Sequence, residues 1–238
     1  MWPNPSFERT CGKSHAVRSI QTLAFMDQSS LFHMFSAPTG APGNALLNWR
    51  PNSAAEIATY AWSYRGAAAI LISSHRGNKF DSIDERALPI LFLYRHASEL
   101  YLKALVYRAA VVSIAEEELM FALPKLWREH SLVRLLEMSF PLLRSRYIFM
   151  WDDELEEKIG RVAKGLDEVD AGSYSFRYPV TSKGQPSLPT HMLTNIFVFS
   201  EILESVLDDL SEICRFLESK RVESSAQMKL ALHTLKER

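Results

Sequence analysis

The sequence predicts an all-α protein, an antiparallel bundle of about five helices with one long non-helical connection before the last. Three observations predict it. Apolar residues recur at helical spacing over long segments, as in Ile196, Phe199, Leu203, Val206, Leu207, Leu210, Ile213 and Leu217. The connections between such segments are short or of medium length. A single segment, with Ser182, Lys183 and Gly184 as its turn signal, reads as a candidate small hairpin.

Residues 1–28 are polar, proline-containing and without a sustained period, and are expected to form a poorly ordered leader. The prolines and glycines of Ser36 to Asn44 discourage regular structure. A first helix begins at Asn52 or Ser53, either of which can act as N-cap, with Glu56 placed as in a capping box, and it ends before Gly77. A second starts near Ser82 or Asp84, tolerates Pro89 close to that start, and runs to about Val112. It is apolar on most of its circumference, the pattern of a central, largely buried helix.

A third run follows Pro124 from Lys125 to Ser145, with Leu132, Leu135 and Leu136 at helical spacing and Pro141 ending or bending it. A fourth, Trp151 to Asp170, gathers acidic residues in its first turn, where the helix dipole favours them, and Gly172 can terminate it. The long connection follows, and the fifth helix is expected from about Pro189 to Ser219. The organisation is thus a leader over 1–28, a bundle over 29–222 and a charged tail over 223–238 that is open to a helical form. No repeat of solenoid length is present, which sets an α-solenoid behind the bundle.

The chain has 238 residues, 47% hydrophobic and 23% charged, enough for a sizeable core. Lys and Arg number 27 against 28 Asp and Glu, a formal net charge of -1, so any contact with nucleic acid must be local. Cys11 and Cys214 lie far apart and match neither a metal spacing nor a disulfide framework, which favours a reducing compartment, the cytoplasm. The N-terminus does not read as a secretory signal. The most hydrophobic stretch, Ala87 to Val112, is interrupted by Arg95, His96, Glu99, Lys103 and Arg108, so no membrane span is expected.

A phosphate-binding glycine loop, a zinc-type His-Glu-x-x-His, a nucleophile elbow and a Cys-x-x-Cys pair are all absent. His75, His96, His130 and His191 fall in different segments, so no metal site and no cofactor are expected. Attention falls instead on Tyr94 to Leu105, "YRHASELYLKAL". On a helix Arg95, Glu99 and Lys103 share a face, with His96 beside them. Two readings are open. The stripe is solvated, its Glu99–Lys103 pair contributing about 0.3 to 0.5 kcal/mol, or it faces a groove or subunit seam and binds an anion.

This stretch, followed by "REHSLVRLL" at Arg128 to Leu136 and "FRYP" at Phe176 to Pro179, resembles the HEPN superfamily. Glu99, Lys103 and Ala104 fall on the second-helix pattern of that family. His130, Leu132 and Leu135 fall on its His-x-Leu-x-x-Leu segment, and Arg177, Tyr178 and Pro179 on its Arg-Tyr-Pro. The resemblance spans about residues 50–220. It implies a homodimeric helical bundle that handles nucleotides or RNA, in a defence or toxin and antitoxin setting, with a cognate protein as a further partner.

Many HEPN proteins cut RNA without metal through an Arg followed, after four to six intervening residues, by His. Here the one pair so spaced, Arg9 and His15, lies in the leader and reads as coincidence, while Arg95 and His96 are adjacent and diverge by about 100° around the helix. The candidate phosphate-binding residues are Arg95, His96, Glu99, Lys103, Arg177 and Tyr178. Catalytic candidates are His96 or His130, combined with Arg177 across helices or across a dimer. His130 also reads as a helix-terminal residue bonded to nearby backbone, and Arg177 with Tyr178 as a loop anchor. A metal-independent ribonuclease with a non-standard pair, and a purely dimerising or protein-binding module, remain the rival functions. The leader's "NPSFERTCGK", Asn4 to Lys13, resembles translated recombination-site sequence of integron gene cassettes, which would make Met26 the start.

Overall fold

The computed structural model describes residues 42–46, 53–76, 83–113, 123–144, 150–188 and 191–236, with side chains to 222. The leader, the cassette-like stretch, Arg9, His15 and Met26 lie outside the described residues. The chain divides into two units, Met1–Trp49 and Arg50–Arg238. Of the first, the described part is a turn whose Gly43 has φ +91°, a left-handed conformation that glycine adopts without steric cost.

The second unit is all-α. A 3₁₀ turn, Ser53–Glu56, leads into α1, Ile57–Arg76; α2 is Asp84–Ser113, α3 Leu132–Arg144, α4 Asp153–Asp170 and α5 Ile196–Lys236. Residues 123–128 form a further helical stretch. Among the described residues the only β pairing is an isolated bridge, Val180 with Pro186, closed around Gly184 at φ +73°. The candidate hairpin is therefore a tight turn without strands, in keeping with the prolines at 179 and 186, which cannot donate to a ladder.

α2 is the hub and packs against α1, α3 and α5, while α4 lies against α3 and α5. The α1–α2 pair is antiparallel: α1 is about 30 Å long, and the eight steps from Arg76 to Asp84, ~29 Å at full extension, could make a parallel return only as a completely stretched chain. Being surrounded, α2 buries residues over most of its circumference, Ile90, Ala97 and Tyr101 on one side and Glu99, Val106 and Ala110 on the opposite one. From α5, Leu203, Leu207, Leu210 and Leu217 complete the core, so the apolar stripe read from the sequence is the buried face.

Three expectations need correction. The run after Pro124 is interrupted at 129–131 because the backbone there finds side-chain partners: Glu129 Oε1 accepts from the amides of His130 and Ser131, both at 2.9 Å, and Ser131 Oγ caps α3 by accepting from Arg134 N at 3.2 Å. Pro141 neither ends nor breaks α3; it sits one turn before the C-terminus, where its missing N–H costs a single bond and the helix completes that turn. The last helix starts at Ile196, not near Pro189, because Asn195 Oδ1 accepts from Phe197 N and Val198 N at 3.0 and 3.1 Å; it runs on to Lys236, so the charged tail takes the helical form that was open to it. Among the described residues no helix is long and apolar enough to cross a membrane.

Candidate functional site

The face of α2 that carries Arg95, Glu99 and Lys103 is turned inward. Arg95 is fully buried, Glu99 is 2% exposed and Lys103 6%, which corrects the reading of a solvated stripe or an open groove. The physical reason is that residues 127–131 and the end of α4 fold over this face and bring acceptors to it. Arg95 Nε donates to the Asp170 carbonyl at 2.9 Å, one terminal nitrogen to Glu99 Oε2 at 2.9 Å and the other to the His130 carbonyl at 2.6 Å. The carboxylates of Asp170 and Asp167 stand 3.4 and 3.7 Å from the same guanidinium. Lys103 Nζ donates to Glu99 Oε1 at 2.8 Å and to the Trp127 carbonyl at 3.2 Å. Both cations are thus committed inside the bundle and are not presented to a dissolved anion.

Burial alone would raise the Glu99 carboxyl, but Lys103, Arg95 and His130 together hold it below the usual carboxylate range. It is therefore an acceptor-only group at neutral pH. His130 Nδ1 lies 2.9 Å from Glu99 Oε1, and since the carboxylate can only accept, Nδ1 carries the proton. The ring is 49% exposed and its Nε2 has no hydrogen-bond partner among the described residues. The result is a half-exposed imidazole oriented from within by a buried carboxylate, with its second nitrogen unbonded among the described residues.

Next to Arg95 but turned about 100° around α2, His96 occupies a different environment. It meets Tyr64 edge-on at 4.6 Å and stacks on Phe92 at 5.5 Å. Burial pushes its pKa down, helped by Arg177, Arg95 and Lys103 and opposed by Glu99. Arg177 lies over the rings of both Phe92 and Tyr178 at 5.5 Å and donates to the Ser173 carbonyl. Arg177 and Tyr178 are exposed, Tyr178 by 55%. The structure thus joins Arg177, Tyr178 and His96 in one stack around Phe92, and joins Arg95, Glu99, Lys103 and His130 in one network beneath.

Of the other histidines, His75 is buried with Nδ1 2.9 Å from the Leu71 carbonyl, and His191 is exposed with φ +60°. Among the described residues no three His, Cys, Asp or Glu side chains gather as a metal site. Sequence reasoning missed Asp167 and Asp170. Asp167 accepts from the amides of Leu132 and Val133 at 3.0 Å and from Ser131 Oγ at 2.7 Å, and so closes the N-terminus of α3 from outside. Asp170 Oδ1 accepts from Tyr174 N and Ser175 N at 2.8 Å. A signal was present: acidic residues in the last turn of α4 oppose the helix dipole, which marks them as needing partners elsewhere. Compared with protein-family models, curated proteins and solved structures, the chain matches none.

Proposed function

We propose that this chain is an RNA-handling bundle of the HEPN kind and that His130 acts in it as a metal-independent general base or acid on the phosphodiester. The observation that carries this reading is the 2.9 Å contact between His130 Nδ1 and the buried, ionised Glu99. Such a carboxylate keeps the imidazole in one tautomer and stabilises the imidazolium formed when Nε2 takes a proton from a 2′-hydroxyl. Arg177 and Tyr178 supply an exposed cation beside an exposed ring, a surface on which a base stacks and a phosphate is met without base-specific readout. Arg95 and Lys103 serve by holding Glu99 rather than by touching RNA.

Incubation of the purified chain with labelled RNA in the presence of a chelator tests this. Cleavage by the parent, its loss in His130→Ala and weaker RNA binding in Arg177→Ala are the expected outcomes. RNA left intact by a folded parent would overturn the catalytic role. Binding unaltered in Arg177→Ala would remove the stacking surface.

A dimerising role is favoured by a separate observation. The outer face of α1 exposes Tyr60, Trp62 and Ile70 at 49%, 66% and 71%, among Thr59, Ser63 and Ala67. The helix has just two basic side chains besides His75, Arg65 and Arg76, and both are paired with α5 carboxylates. An uncharged face with exposed aromatic residues suits a second copy of itself. Sedimentation velocity is expected to show a dimer for the parent and a monomer for Ile70→Glu; a monomeric parent removes this role.

A further inference from the structure

We propose that the groove between α4 and α5 is a binding site for an anionic amphiphile of the fatty-acid type, its chain lying along Val162, Gly165, Val169, Val198 and Ile202 and its carboxylate on Arg161. The groove is open along one side and holds about 740 Å³, within the range of ligand sites, and its walls are mostly aliphatic and aromatic. Val198 and Ile202 are half exposed along it. At its mouth Leu193 is 96% exposed between the lining residues Met192 and Thr194, an unusual place for a leucine unless an apolar partner arrives.

Shape selects the class of occupant. The α4 wall runs from Lys158 to Val169, about 16 Å at 1.5 Å per residue. The cavity volume spread over that length leaves a mean cross-section of roughly 46 Å², about half that of a helix 10–12 Å across with its side chains. An extended acyl chain fills this section, whereas a docked helix would stand about half outside the open groove.

Charge selects the head group. Lys158 is held by Asp209 at 2.6 Å, and Glu201 by Arg76 at 3.0 Å. Arg161 is 72% exposed, and its ion pair is with the equally exposed Glu157 at 3.4 Å, a weak tie. A guanidinium with open donors at the edge of an apolar slot is matched by a carboxylate, which it can grip with two parallel bonds. Gly165 keeps the slot clear: a Cβ placed there meets nothing within 4 Å.

The test uses the full-length chain and a fluorescent dansyl-undecanoic acid, displaced by dodecanoate, dodecanol or dodecylamine. The expected result is saturable binding, competed best by dodecanoate and at least ten-fold less well by dodecylamine. Gly165→Leu is expected to weaken binding ten-fold or more. It places a side chain in open space and replaces glycine in a helix by a better helix former, so its circular dichroism and melting should match or exceed those of the parent. Arg161→Gln is expected to reduce the preference for dodecanoate over dodecanol. Absence of saturable binding, or undiminished binding by folded Gly165→Leu, overturns the site. Equal competition by all three amphiphiles overturns the carboxylate.

Discussion

At the scale of single residues, three neighbouring ionisable groups show how environment assigns roles. Arg95 and Glu99 are inside and mutually satisfied, whereas His96, on the adjoining flank, is half-buried among rings and has no hydrogen-bond partner among the described residues. Burial therefore disfavours the charged imidazole, and the nearby Arg177 adds to that. The sign of the consequence follows from linkage. As the pH falls through about 6.5, the unfolded chain takes up this proton before the folded one does, so stability drops until the folded ring also titrates. His96→Phe keeps a flat ring against Tyr64 and Phe92 but has no proton to bind. Urea midpoints at pH 7.5 and 5.5 should show the variant gaining on the parent at the lower pH. A parent-to-variant difference that is the same at both would show that His96 is not penalised by its site. The Glu99 contribution lies in a separate window, because a depressed carboxyl yields stability that is lost as pH falls below ~4.5 through its folded value.

At the scale of elements, the helices were legible and their interruptions less so. The bounds of α1 and α2 follow from signals at hand: Ser53 and Glu56 before α1, Gly77 after it, and Asp84 with Glu85 in the first turn of α2. The first turn of α4 was equally readable, with Asp152 as N-cap accepting from Leu155 N at 2.8 Å. The break at 129–131 escaped because the apolar period continues across it; what stops the helix is competition from Glu129, Ser131 and the distant Asp167 for backbone amides. Likewise, the spacing of Arg95, Glu99 and Lys103 places them on one face but does not say what covers that face. Half of the cover consists of the carbonyls of Trp127, His130 and Asp170, and any residue type can supply a carbonyl. The Glu99–His130 contact joins residues 31 apart, beyond the reach of any periodicity.

At the scale of the whole molecule, the buried ionic network is where distant parts of the chain close on one another. Arg95 alone reaches His130, 35 residues on, and Asp170, 75 residues on, so it ties α2 to the start of α3 and the end of α4. Arg65 and Tyr94 make the corresponding link to α5 through Glu204, at 2.7 and 2.9 Å, but nearer the surface. The two ties should differ in weight. Removing Arg95 leaves Glu99 short of one partner and Asp170, whose Oδ2 already has no hydrogen bond, without its nearest cation. Uncompensated buried carboxylates of this kind cost about 3–5 kcal/mol, a large share of the ~5–15 kcal/mol that holds a domain folded. Arg95→Met preserves the side-chain volume approximately and so isolates the charge. It should lower the unfolding free energy by that amount, seen as a lower urea midpoint with the slope unchanged, and helicity and tryptophan fluorescence should be lost together, because three elements share the tie. Arg65→Met, which frees partners that water can reach, should cost about 1 kcal/mol or less. An Arg95→Met chain within 1 kcal/mol of the parent would mean that the carboxylates find water or neutralise, and that the network does not hold the bundle together.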